Sequence, residues 1–320
     1  MANCISFEEL QTQMFDLFYA RDLAGAFAVA ESASRLYPDR LPKTAYWKAC
    51  ILSLMGRAEE AVSALAQGLA EGAWWSPIML NRDPDLEAAR TLPQMAEVLA
   101  ETDRRWRAAQ VHSKPQTFIL DPRDRTAAPT GHDGALPPLM LALHWYTGTG
   151  PEFIERFRSA ADDLGFLLAS AQSSQMCAKD QYCWDDQAEG EAEVSGALAS
   201  LRASHRFDAD RVILAGASQG GRLAIAMSLA LPLCGFIAVV PAVRGVEEFA
   251  AHVESAAERG VKGYIIAGEK DYFLAGTEKL QRFLDSNGVS CRIEVVEGMA
   301  HTFPKDFPER LARAARFVTD

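Results

Sequence analysis

Three residues of this 320-residue chain have the types and the order needed for nucleophilic catalysis: Ser218, Asp271 and His301. Ser218 stands in Gly216-Ala217-Ser218-Gln219-Gly220-Gly221, after the apolar run 211–217 and before an amphipathic stretch at 220–231. A serine hydroxyl is too weak an acid to attack a carbonyl unaided. It needs a base, and the base needs a carboxylate to orient it. The pattern G-x-S-x-G between a strand and a helix supplies a sharp turn that lifts the hydroxyl above a sheet. Glycines flank the serine because a β-carbon at 216 or 220 is expected to strike neighbouring backbone, and the helix start offers free N–H groups to developing negative charge. Imidazole titrates near neutrality and suits the base. Of six histidines only His144 and His301 fall at the ends of apolar runs, and only His301 follows the acid. Asp271 lies just beyond the run 263–269. Glu269, nearer that run, is its rival.

These residues need elements that bring them to one edge. From residue 138 onward, apolar runs of strand length occur at 139–146, 165–172, 211–217, 235–242, 263–269 and 292–298. Uninterrupted apolar runs indicate strands buried on both faces, as in a parallel sheet. Helical patterns near 151–164, 189–204, 220–231, 246–259, 275–286 and 308–318 alternate with them. The alternation predicts an α/β fold, a doubly wound, mostly parallel sheet whose chemistry sits at the carboxyl ends of its strands. Ser218, Asp271 and His301 each follow such an end.

The division falls near residue 112, giving domains of 1–112 and 113–320. Residues 1–110 read as helix, dense in Ala, Leu and Glu. Ala26 and Ala61 head two similar segments, 22–38 and 55–73, at a spacing of 35 residues. The segment with a turn at Gly56 resembles a tetratricopeptide unit. About one and a half units are legible, fewer than the roughly three a free-standing array needs. The helical domain is therefore expected to act as a cap over the site or as an interaction module, through a homodimer or a protein partner. Trp74-Trp75 is either its contact surface or local core. Residues 111–137, with Pro115, Pro122, Pro129, Gly131, Gly134 and Pro137, read as linker around a short strand at 116–120.

The order Ser218, Asp271, His301 resembles that of the α/β-hydrolases. Residues from about 138 to 318 resemble small serine esterases of the carboxylesterase/phospholipase and dienelactone-hydrolase groups. The stretch 207–232, with Ala-Ser218-Gln219-Gly-Gly, is most similar to the first group. The resemblance implies an oxyanion hole from the backbone amides of Gln219 and, in the loop after the first parallel strand, Tyr146. In that loop His144 matches many relatives, whereas Trp145 stands where they carry glycine. Trp145 either lines the pocket or packs over the sheet end. His144, Trp145, Tyr182 and Trp184 are expected to bind substrate, the last two from the loop 173–186, read as a substrate-facing wall. Asp185 and Asp186 are expected to cap the next helix. The connection between 235–242 and 263–269 is only one helix long and leaves no room for a lid there.

Composition narrows the classes further. Lys and Arg total 32 against 43 Asp and Glu, a net charge of −11. Such a surface disfavours nucleic acid and anionic membrane. No stretch reaches the ~18 apolar residues of a membrane span, and the first residues lack the basic segment of a signal peptide. The cytoplasm is the expected compartment. The six cysteines (Cys4, Cys50, Cys177, Cys183, Cys234 and Cys291) show no ligand spacing and read as free thiols, with 177/183 an oxidation pair only in principle. No phosphate-loop, dinucleotide or HExxH pattern appears, so neither cofactor nor metal is expected. The expected activity is cleavage of an ester or thioester of a small molecule through an acyl-enzyme. Acyl transfer, peptide cleavage with the same triad, and a helical scaffold carrying a residual hydrolase fold are the alternatives.

Overall fold

The computed structural model describes residues 5–121 and 136–320. Cys4 and the linker positions Pro122, Pro129, Gly131 and Gly134 lie outside the described residues. The chain forms two compact units. One comprises Met1–Ser113 with Met176–Gln181, the other Lys114–Gln175 with Tyr182–Asp320.

The first unit is helical. A capping box opens α1 (Phe7–Tyr19): Glu9 N–H donates to Ser6 Oγ at 3.2 Å, and Ser6 N–H to Glu9 Oε2 at 2.7 Å. Then come α2 (Leu23–Leu36), α3 (Leu41–Leu54), α4 (Ala58–Ala70), α5 (Pro77–Arg82), α6 (Glu87–Arg90) and α7 (Gln94–Gln110). Gly56, at φ +77°, makes the turn from α3 to α4. The sequence spacing of 35 marks the second helices of two helix pairs, α1/α2 and α3/α4, so two pairs stand where the sequence shows one and a half. Ala26 and Ala61 are both fully buried in them. Phe7, Leu10, Met14, Ala26, Ala30, Ala33, Trp47 and Ile51 share one cluster. Trp75 is core and not surface. It is fully buried, its indole N–H donates to Pro42 O at 2.9 Å, and Thr102 Oγ1 bonds both its N–H and its C=O. Residues 176–181 join this unit through β4 (Met176–Ala178). Ser76 N–H donates to Cys177 O at 2.6 Å and Lys179 N–H to Trp74 O at 3.0 Å.

The second unit is a seven-stranded sheet. In chain order its elements are β1 (Gln116–Leu120), β2 (Pro138–Leu143), α8 (Gly150–Arg156), α9 (Arg158–Asp162), β3 (Leu167–Gln172), α10 (Gln187–Ser204), β6 (Asp208–Ala217), α11 (Gln219–Ala230), β7 (Gly235–Val239), α12 (Val253–Glu258), β8 (Lys262–Gly268), α13 (Leu274–Ser286), β9 (Ser290–Val296) and α14 (Phe307–Thr319); the short β5 (Gln181–Tyr182), outside this sheet, spans the chain boundary between the units. The strand order is β1-β3-β2-β6-β7-β8-β9. Only β1 is antiparallel to its neighbour. Residues 151–164 break into two helices at Phe157. Residues 246–259 split into a 3₁₀ stretch, Glu247–His252, and α12. Side chains alternate between the faces. Met140, Ala142, Ile213, Ala215, Ile237 and Ile266 meet Phe157 and Leu311 on one. Leu139, Leu141, Leu214 and Val212 meet Leu198 and Ala224 on the other. This is the doubly wound α/β-hydrolase architecture. From β2 the chain winds outward to β3, and from β6 outward to β7, so the direction switches between β2 and β6. A crevice is expected at that switch point.

Candidate active site

β6 runs directly into the turn that carries Ser218. Ser218 has φ 50° and ψ −118°, a backbone region L-residues rarely adopt, and is the N-cap of α11. Its hydroxyl does not cap the helix. Backbone bonds hold the turn instead: Ser218 N–H donates to Val239 O at 3.0 Å, and Ala242 N–H to Ser218 O at 3.1 Å. The flanking glycines are needed for close approach. A β-carbon on Gly216 would stand 2.6 Å from the Gly220 carbonyl, and one on Gly220 2.3 Å from Leu143 O and 2.4 Å from His144 O. The first intrahelical bond runs from Arg222 N–H to Ser218 O, so the amides of Gln219, Gly220 and Gly221 have no intrahelical acceptor.

The structure brings Ser218, Asp271 and His301 together. Ser218 Oγ–H donates to His301 Nε2 at 2.8 Å, and His301 Nδ1–H to Asp271 Oδ1 at 2.9 Å. Asp271 Oδ1 also accepts Phe273 N–H at 3.1 Å, and its side chain is 2% exposed. Glu269 is exposed and turned elsewhere, accepting Gly298 N–H at 2.8 Å. Of the two acids, Asp271 is the one bonded to His301. Phe273 packs on the His301 ring with centroids 5.5 Å apart.

The expected substrate residues fare differently. His144 is fully buried, with both ring nitrogens engaged: Nδ1 bonds Trp145 O at 2.8 Å and Nε2 bonds Ser173 N–H at 3.2 Å. Burial pushes its imidazole down to about 4, overriding the opposing pull of the Trp145 carbonyl. It offers substrate no surface. Trp184 is also buried, stacked on His144 at 4.7 Å, with its indole N–H on His144 O at 2.8 Å. Trp145 takes the packing alternative. Phe153 and Phe303 meet its ring edge-on, and the Arg156 guanidinium lies 4.8 Å above it. Tyr146 and Tyr182 remain half-buried, the second paired by a backbone bridge to Gly148.

The loop 173–186 is largely core, against its reading as an open wall. Ser173, Gln175, Cys177, Gln181, Cys183 and Trp184 are buried, and the polar atoms of Ser173, Gln175 and Trp184 find partners inside the fold. Gln175, for example, bonds Asp186 through both ends of its amide. Asp186 does cap α10 through Glu189 N–H. Asp185 instead accepts Gln219 Nε2, whose Oε1 takes Trp184 N–H.

Two residues that the sequence does not single out pack close to these groups: Gly268, at the end of β8, where a β-carbon would strike Met299 O, and Arg156, over Trp145. Cys50, Cys177, Cys183, Cys234 and Cys291 are free thiols. Among the described residues no group of three or more His, Cys, Asp or Glu is placed to hold a metal ion, and no helix is long and apolar enough to cross a membrane.

A family model, that of the dienelactone hydrolase family, matches residues 151–317, more than half of the chain. An uncharacterized Bacillus cereus protein of known crystal structure is similar at 21% identity and a TM-score of 0.55, over 98% of this chain and 99% of that one. It shares the fold along its whole length. The esterase PE8 is similar over 64% of this chain and 99% of its own, at 21% identity and a TM-score of 0.48. Zea mays acyl-protein thioesterase 2 covers 64% of this chain and 97% of its own, at 15% identity and a TM-score of 0.47. No curated protein matches the chain in sequence.

Proposed function

The chain belongs to the dienelactone hydrolase family, and from that premise we propose that it is a serine hydrolase of carboxylesterase type, cleaving esters or thioesters of small molecules. One observation carries the reading: the unbroken hydrogen-bond line Ser218–His301–Asp271 at a strained turn on the switch point of the sheet. Ser218 Oγ attacks the carbonyl carbon while His301 Nε2 takes its proton. Asp271 keeps the imidazole in the Nδ1–H tautomer and stabilises the imidazolium. The oxyanion is held by the amides of Gln219 and Tyr146. His301 returns the proton to the leaving group, and the acyl-enzyme is released by water through the same base. Tyr182 and Tyr146 are the side chains left to face substrate. No cofactor enters this chemistry, and the cytoplasm is the proposed compartment. The helical unit serves as a cap or interaction module, engaging a second copy or another protein.

Labelling with a fluorophosphonate probe tests the reading. Ser218 is expected to be the labelled residue, and an ester library is expected to yield substrates that the Ser218→Ala protein does not turn over. An unlabelled wild type that is inert across the library would sink it.

A further inference from the structure

We infer that His144 is a positioning residue for the oxyanion hole: it fixes the plane of the Trp145–Tyr146 peptide and with it the direction of the Tyr146 N–H. The inference rests on the serine-hydrolase reading above and deepens it.

The Trp145 carbonyl accepts two hydrogen bonds, from His144 Nδ1–H at 2.8 Å and from Gly148 N–H at 3.0 Å. A peptide unit is planar and trans, so the Tyr146 N–H points opposite to the Trp145 C=O. Whatever holds that carbonyl therefore aims that amide. The imidazole is itself held. Its Nε2 accepts Ser173 N–H at 3.2 Å, and Trp184 stacks on it with planes 25° apart. A backbone N–H can only donate and a carbonyl can only accept, so the two partners leave a single neutral tautomer, with the proton on Nδ1. The neighbouring peptide is fixed as well, since Trp184 Nε1–H donates to His144 O at 2.8 Å. This stretch lies against the nucleophile's helix: Gly220, two residues after Ser218, approaches Leu143 O and His144 O too closely to carry a side chain. The result is a rigid loop beside Ser218 whose donor direction is set by one ring proton together with the Gly148 N–H.

Two isosteric halves of the histidine separate this role from simple packing. His144→Asn puts an amide nitrogen near the Nδ1 position, keeping the donor to Trp145 O and losing the acceptor for Ser173. His144→Gln puts an amide oxygen near the Nε2 position, keeping the acceptor and losing the donor. Both lose the stacking on Trp184 alike. Each full-length variant is assayed for kcat and KM on a p-nitrophenyl ester and for fluorophosphonate labelling. Loss of a whole oxyanion donor costs about 10²–10³ in kcat. His144→Gln is expected to lose about 10–100-fold in kcat with KM nearly unchanged, whereas His144→Asn stays within about 5-fold of wild type. Equal kcat in the two variants, the reverse order, or a change confined to KM overturns the inference while the hydrolase reading stands. A wild type that is neither labelled nor active takes both down. Should both variants melt below assay temperature, the ¹⁵N spectrum of the wild-type histidines decides. A neutral Nδ1-protonated ring at His144 is required, and an Nε2-protonated one overturns the inference.

Discussion

A β-carbon on Gly268 would stand 2.4 Å from the carbonyl oxygen of Met299. The strand end that leads to Asp271 therefore lies close against the loop that leads to His301. Around it, Glu269 N–H donates to Val296 O at 3.0 Å, Lys270 N–H to Met299 O at 2.9 Å, and Gly298 N–H to Glu269 Oε2 at 2.8 Å. Asp271 and His301 hang from the two sides of this clasp. Gly268→Ala should therefore push the loops apart. A misplacement of about 1 Å in a catalytic pair costs about 10²-fold in rate, so kcat should fall by that order, with a loss of about 1–3 kcal/mol in stability. Denaturant melts and kcat read in parallel check it. A wild-type kcat would show that the clasp does not set the pair.

Ser218→Ala removes the proposed nucleophile and leaves the backbone bonds of the turn, from Ser218 N–H to Val239 O and from Ala242 N–H to Ser218 O, available. The variant should fold and lose about 10⁴–10⁶ in kcat. A rate near wild type on any ester that the wild type cleaves would end the triad assignment.

Asp271→Asn should harm activity far more than Glu269→Gln. Asparagine presents an N–H to His301 Nδ1 and favours the wrong tautomer, a change that costs a serine-protease triad about 10⁴ in kcat. Glu269→Gln keeps an oxygen for Gly298 N–H and should cost less than about 10-fold, the scale of one exposed hydrogen bond. Steady-state kinetics of both variants decide; if Glu269→Gln were the worse, the acid would have to be reassigned.

The sheet and the meeting of Ser218, Asp271 and His301 at its edge were legible because each rests on a local signal: continuous apolar runs for strands buried on both faces, and glycines around Ser218 that only a strand-to-helix turn explains. The substrate residues were not. His144, Trp145 and Trp184 carry polar handles on aromatic bodies, and sequence cannot tell whether such a handle meets substrate or a neighbouring carbonyl. Here His144 O takes the Trp184 indole and Trp145 O takes the His144 ring. The loop 173–186 misled for a related reason. Gln175 and Ser173 look solvated by composition, yet they are buried with their hydrogen bonds met inside the fold. Trp75 shows the converse: its apolar bulk fits a docking face as well as a core, and Gly68 leaves room for it within the helical unit.

The buried His144 also sets an acid limit to stability. Its imidazole sits at about 4 in the folded chain because burial penalises the charged ring, against about 6.5 when unfolded. The unfolded chain thus binds the proton first. Stability from this group is fully present above about pH 6.5 and is lost as pH falls toward 4, by about 3 kcal/mol in all. Urea unfolding at pH 7.5 and 4.5 should show the wild type losing more stability between the two than His144→Asn. Parallel losses in the two proteins would contradict the assignment.

Deleting residues 1–113 should damage catalysis although all three triad residues remain. Residues 176–181 pack with the helical unit and are bonded there at Ser76 N–H to Cys177 O, Lys179 N–H to Trp74 O, Trp106 Nε1–H to Met176 O and Met176 N–H to Gln110 Oε1. Truncation strips every one of these partners, and each buried polar group left unpaired costs about 1–3 kcal/mol. The same segment is continuous in the chain with Ser173, whose N–H holds the His144 ring, and with Trp184, whose N–H holds the Gln219 side chain. Loosening it should therefore reach the turn that carries Ser218 and the loop that carries Tyr146. A protein starting at Lys114 is expected to be less soluble and to lose about 10-fold or more in kcat/KM, in line with the cost of displacing positioned groups. Light scattering and an ester panel test both halves of the statement. A truncated chain that is monodisperse and kinetically unchanged would show that the hydrolase unit positions its own loops and that the helices serve a separate partner.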